Sequence, residues 1–133
     1  MKSTNASDRC AMMKVLDQFC ARGMTYNPVF NWDNIDATLF REGTEKQVGV
    51  VKVFSAMGNF GNKPYVDLAK EPIDFLTELG LLLGKKNAAA VIVKFRDKLM
   101  YWKIDRELVA DQVMKRGKPY NFYKLPINLL KNV

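Results

Sequence analysis

The sequence predicts an α/β fold: a single domain over residues 1–133 in which helices flank a mixed β-sheet. Three observations carry that expectation. Apolar residues recur at spacings of three and four in 8–22 and 72–84, the signature of amphipathic helices. Between and after those segments, β-branched and aromatic residues alternate with a period of two. A chain of 133 residues with 48% apolar and 26% charged side chains can also bury one core but hardly two.

Each element has its own signal. Residues 1–6 read as frayed, and Met12, Val15, Leu16 and Phe19 then form the apolar stripe of the first helix, 8–22. Gly23 suits the left-handed residue just past a helix end, and Asn27-Pro28 interrupts the pattern. Ile35–Arg41 alternates, with Ile35, Ala37 and Leu39 on one face, and the β-branched run Gln47–Phe54 reads as its hairpin partner. A three-residue loop, Gly43-Thr44-Glu45, sets Asp36 opposite Lys52 with Cβ atoms about 5 Å apart. A one-residue slip would undo that register.

Ser55–Lys63 is irregular, and Pro64–Leu68 reads as a short strand. Glu71-Pro72 opens the second helix, because proline fits the first helical turn. Ile73, Leu76, Leu79 and Leu83 form its stripe, and Gly84 ends it. Ala88–Phe95 and Leu99–Ile104 make a hairpin about Arg96-Asp97-Lys98. Asp105 is expected to cap a third helix reaching Lys115. Gly117-Lys118-Pro119 then turns the chain into a last strand, Tyr120–Lys124, and a short C-terminal turn. The predicted order is α-β-β-(β)-α-β-β-α-β.

Composition excludes several chemistries. The chain has no histidine, which removes Ser-His-Asp and Cys-His triads, imidazole zinc ligands and imidazole proton relays. Cys10 and Cys20 stand ten residues apart in one predicted helix, about 15 Å, beyond disulfide reach. Two thiols are too few for a structural zinc site, so both are expected as small buried side chains in a reducing compartment. The longest apolar run, Ala88–Val93, is too short to span a bilayer, and no segment reads as a signal peptide. The expectation is a cytoplasmic protein, or a virion protein if phage-encoded, with no membrane partner.

Charge is polarised along the chain. Residues 1–93 hold eleven basic and ten acidic residues, whereas 94–133 hold ten basic and four acidic, a net +6 out of +7. Such a balance suits a polyanionic partner, because phosphate contacts release counterions. Lys94, Arg96, Lys98, Lys103, Lys115, Arg116, Lys118 and Lys124 are the candidate nucleic-acid contacts, with DNA expected ahead of RNA. An acidic protein surface is the other partner of that chemistry, and an oligomer is compatible with it. Tyr101, Trp102, Tyr120, Phe122 and Tyr123 interleave with these lysines, a mixture suited to single-strand stacking, although strand alternation would bury half of the rings.

Two glycine motifs carry less. Gly80-Leu-Leu-Leu-Gly84-Lys85-Lys86 is one residue short of a phosphate loop and ends a helix rather than opening one. Gly58-Asn-Phe-Gly61 has the spacing of a KH nucleotide clamp, but it follows a strand and reads as a turn.

The most informative residues are Asp36 in Trp32-Asp33-Asn34-Ile35-Asp36-Ala37-Thr38 and Lys52 in Val48-Gly49-Val50-Val51-Lys52-Val53. With a helix before and a helix and further strands after, this resembles the core of the PD-(D/E)XK nuclease superfamily. The resemblance implies a restriction-endonuclease-like αβββαβ fold over roughly residues 8–105, with Asp36 as the metal-binding aspartate and Lys52 as the catalytic lysine. Val50 departs from the pattern, standing where the second acidic residue belongs. That chemistry needs two carboxylates to hold the Mg²⁺ that polarises the phosphate. Asp33, Glu45, Asp74 and Glu78 are candidates for a relocated carboxylate.

The expectation is therefore a nuclease-like nucleic-acid-binding protein with a degenerate metal site, leaning away from enzymatic activity and needing no cofactor. A bacterial or bacteriophage accessory protein would fit such a chain. A structural assembly subunit, such as a virion component, is one alternative. An active Mg²⁺-dependent endonuclease with a relocated carboxylate is the other.

Overall fold

The computed structural model describes residues 13, 14, 16, 17, 24–28, 35–41, 43, 47–82 and 89–132. Their order is β1 (Met24–Pro28), β2 (Ala37–Arg41), β3 (Gln47–Ser55), β4 (Tyr65–Ala69), α1 (Lys70–Leu82), β5 (Ala89–Lys94), β6 (Leu99–Lys103), β7 (Val109–Lys115), β8 (Lys118–Pro126), a 3₁₀ turn (Ile127–Leu129) and β9 (Lys131–Asn132). The fold is mixed α/β and mainly β. A six-stranded sheet runs β1-β2-β3-β5-β6-β9, and a three-stranded sheet runs β4-β8-β7.

In the large sheet only β3 and β5 pair in parallel, and β4 and α1 form the crossover between them. The sequence Ala-Ala-Val-Ile-Val of β5 explains its central place. With nearly every residue apolar, it can be buried on both faces, and it is. Val91 and Val93 enter a core with Ile73 and Leu76 of α1 and with Val66, Leu68 and Leu125 of the small sheet. Helix α1 and the small sheet thus cover the same face. Full burial of Leu76, Val91 or Val93 is worth about 1.5–3 kcal/mol each.

Ala90 and Ile92 point the other way, into a second cluster with Ala37, Leu39, Val51, Val53 and Leu16. Leu16 is buried, and the helical residues around it, Met13, Lys14 and Asp17, are exposed. This agrees with the expected stripe of the first helix. The rest of that helix, with Cys10 and Cys20, lies outside the described residues.

Four expectations need correction. Ile35 does not share the face of Ala37 and Leu39: the chain bends at Asp36, so Ile35 packs with Val50 and Val91 while the other two pack with Val51 and Val53. Met24–Pro28 is an edge strand, where a proline at the end of the strand is tolerated. The third helix does not form. Val109–Lys115 is a strand paired with β8 through the Arg116-Gly117 turn. Val109 and Val113, four apart, share one face of a strand as readily as one face of a helix. The last strand is also longer than Tyr120–Lys124, running from Lys118 to Pro126 and pairing with β4 and β7.

Candidate functional site

The β2–β3 hairpin brings the two singled-out residues together. Ala37 pairs with Val51, and Asp36, just before β2, lies beside Lys52 of β3; the register expected from a three-residue loop does not hold as far as the turn. Nearer the turn the register shifts: Leu39 pairs with Gly49 but Phe40 with Gln47, leaving Val48 as the extra residue of a bulge. Asp36 sits at a bend just before β2 and donates its backbone N–H to the carbonyl of Val51, the residue that Ala37 pairs with, at 2.8 Å, so the regular ladder ends at Ala37. Its Oδ2 accepts the Val53 N–H at 2.6 Å and lies 3.7 Å from the Lys52 Nζ. The carboxylate is 2% exposed and the lysine 19%. The ammonium also sits 5.9 Å from the Phe54 ring centroid, on the same face of β3.

These residues do not fit a divalent cation. A Mg²⁺ site needs several oxygen ligands, and here one carboxylate is already engaged by an amide and an ammonium. Val50, two residues before Lys52 on the same face, is fully buried in the core and offers no lone pair. Of the carboxylates considered as replacements, Asp33 and Glu45 lie outside the described residues. Asp74 is held elsewhere, and Glu78 is exposed on α1. Among the described residues, no group of three or more Cys, Asp or Glu is arranged to hold a metal ion. What the pair can do is fix the hairpin, with the ammonium largely buried beside the carboxylate.

The predicted basic residues occupy separate places. Arg96 and Lys98 lie in the β5–β6 turn beyond Lys94. That turn is tied to the 56–63 loop: Arg96 N–H donates to the Gly58 carbonyl, Phe60 N–H donates to Asp97, and the Lys98 ammonium sits 5.2 Å from the Phe60 ring centroid. Lys103 is at the opposite end of β6, about 13 Å along the strand from Leu99. Lys124 pairs with Asp111 at 3.0 Å and lies over Tyr65, so its charge is neutralised within the protein. Lys115, Arg116 and Lys118 form a third group at the tip of the β7–β8 hairpin. The rings are poor stacking platforms. Trp102 and Phe122 are 3% and 4% exposed, and Tyr120 stacks on Phe122 beneath the Lys115 ammonium.

Sequence reasoning misses a second polar cluster. Lys70 and Asp74, one turn apart on α1, bond at 2.7 Å, and the Tyr123 hydroxyl donates to the other Asp74 oxygen. Burial pushes the Asp74 carboxyl up, but hydrogen bonds from Lys70 and Tyr123 outweigh it and hold the group below the usual carboxylate range. The Tyr123 phenol is raised by donating to Asp74, and the Lys70 ammonium is raised by the same carboxylate. The cluster borders a cleft of about 510 Å³, lined also by Thr77, Trp102, Asp105 and Arg106. Arg106 in turn bonds Asp105 at 3.1 Å. Both carboxylates therefore face the cleft already paired with cations. The Lys70/Asp74 spacing is visible in the sequence, but nothing there points to Tyr123.

No helix among the described residues is long and apolar enough to cross a membrane. No protein-family model matches the chain, and no curated protein matches it.

Proposed function

We propose that this chain is a nucleic-acid-binding protein on a nuclease-like scaffold, one that binds phosphodiester backbones without cutting them. The observation that carries the reading is the apposition of Asp36, just before β2, and Lys52 of β3, with buried Val50 in the second acidic position. The element order supports it. Helical residues near Leu16, the strands β1, β2 and β3, helix α1 and a β5 parallel to β3 resemble the αβββαβ core of the PD-(D/E)XK superfamily, with β4 as an added strand before α1. The lost carboxylate argues for binding over cleavage, because Lys52 alone cannot position a metal-bound water. Exposed cations at the β5–β6 turn and the β7–β8 tip supply phosphate contacts. A bacterial or bacteriophage accessory role suits a small basic protein of this kind.

A second reading, a structural assembly subunit, is favoured by one observation. Edge strand β7 exposes Val109, Val113 and Met114, apolar surface that another chain would cover. The two readings separate in a titration of labelled DNA and RNA at two salt concentrations. The nucleic-acid reading predicts binding that weakens steeply with salt and favours DNA. Absence of binding even at low salt supports the assembly subunit instead.

A further inference from the structure

The hairpin of β7 and the first half of β8 stands away from the body of the protein. All seven residues of β7 are exposed, and the first buried residue of β8 is Phe122. Asp111 lies opposite Phe122, so Arg116 at the turn is five residue steps from that pair, about 17 Å of ribbon. At its end, two features oppose stability and share one result. Arg116 has φ 51°, a left-handed conformation that costs a side-chain-bearing residue energy, in a two-residue turn that ordinarily favours Asn before glycine. Gly117, at φ 76°, satisfies the other half of that turn without strain. Lys115 pairs directly opposite Lys118, and like charges in that position repel. None of Lys115, Arg116 and Lys118 forms an ion pair among the described residues. Each feature concentrates positive charge at the end of a projecting ribbon.

We propose that this hairpin is an arm that enters the major groove of duplex DNA, with Lys115, Arg116 and Lys118 meeting the phosphates that border the groove. The inference rests on the nucleic-acid-binding reading and names the partner and the element that engages it. The dimensions favour the duplex. A two-stranded ribbon fits the B-form major groove, about 12 Å wide and about 8.5 Å deep, and this arm is longer than the groove is deep. The narrow major groove of A-form RNA excludes such a ribbon. Single strands are disfavoured because they need open rings, whereas Phe122 is buried and Tyr120 is covered by Phe122 and Lys115.

The test uses the full chain, with fluorescence anisotropy on a labelled DNA duplex, the matching RNA duplex and one DNA strand alone, at about 50 and about 200 mM salt. The variant K115S/R116N/K118S removes the tip charge and keeps a turn-compatible residue. For the tip variant the expected result is about tenfold weaker duplex-DNA binding and a salt slope shallower by about 2.7, with the single strand affected about twofold or less. R116G, which relieves the turn and so cannot act by unfolding it, is expected to lower the slope by about 0.9. Wild-type protein is expected to bind the DNA duplex more tightly than the RNA duplex. If the wild type binds DNA and the tip variant binds it equally well, the arm proposal is overturned and the binding reading stands. Equal losses on duplex and single strand overturn groove entry. If the wild type binds none of the three probes, the nucleic-acid reading fails and the arm with it.

Discussion

Asp36, at the bend before β2, lies beside Lys52 of β3, and the same Oδ2 that is 3.7 Å from the lysine Nζ accepts the Val53 N–H at 2.6 Å. The aspartate is buried and the lysine largely so, which makes the pair part of the hairpin's structure. Removing one partner of such a group leaves the others unsatisfied, and that is the larger cost.

Asp36→Ala is therefore expected to destabilise the protein by about 2–3 kcal/mol in urea unfolding, because the Val53 amide loses its acceptor and Lys52 its counterion. Asp36→Asn keeps an acceptor and should lose about half as much. A neutral or stabilising Asp36→Ala would mean that the carboxylate is held there against stability, as a functional metal ligand often is.

Val50→Glu restores the acidic position at the expense of a core valine. Without divalent cations its melting temperature should fall sharply, a loss of about 3 kcal/mol or more, because an unpaired carboxylate enters the core. Adding Mg²⁺ or Mn²⁺ should recover part of that loss by binding the folded state, while the wild type should not respond. A metal response in the wild type, or none in Val50→Glu, would count against the degenerate-site reading.

How much of this is legible in the sequence depends on the distance over which the information acts. The β2–β3 pairing is readable because Ala37 and Leu39 alternate with Thr38 and Phe40 beside a β-branched run, but the bend at Asp36 that turns Ile35 to the other face is not. The bulge at Val48 cannot be read, since nothing in Gln47-Val48-Gly49 distinguishes it from regular strand. Met24–Pro28 hides as a strand because Asn27-Pro28 looks like a break, and only its edge position makes that proline acceptable. Val109–Lys115 hides because its period of four serves both helix and strand, and pairing across Arg116-Gly117 decides between them. Tyr123 meets Asp74 across 49 residues of chain, a contact that tertiary packing creates.

The Lys70–Asp74–Tyr123 cluster makes stability depend on pH at both extremes. Asp74 is depressed in the folded state, so its contribution is complete above the ordinary carboxylate range and is lost as pH falls through its folded value. Asp105 and Asp111 are depressed too, the first mainly by Arg106 and the second by the Gln112 N–H and Lys124, and they act in the same direction. Tyr123 and Lys70 are raised, so their contributions are present below their ordinary values near 10 and are lost as pH rises through the folded ones. Thermal melts from acid to alkaline pH should show a plateau falling at both ends. Asp74→Asn should flatten both falls, and an unchanged profile in that variant would contradict the assignment.

Arg116 holds a left-handed conformation that glycine adopts freely. Arg116→Gly is accordingly expected to raise stability by about 1 kcal/mol in calorimetry while weakening DNA binding. A loss of stability would show that the arginine side chain supports the turn, and the trade of stability for charge at the tip would not hold.

The central claim, that this scaffold binds DNA but does not cut it, is read most directly on one labelled duplex incubated with purified protein and Mn²⁺. Each sample is split between a native gel and a denaturing gel. The account predicts a retarded complex on the first and full-length strands on the second. Cleaved strands in the wild-type lane that disappear with Asp36→Ala would contradict it, and would mean that a carboxylate elsewhere in the chain completes the metal site.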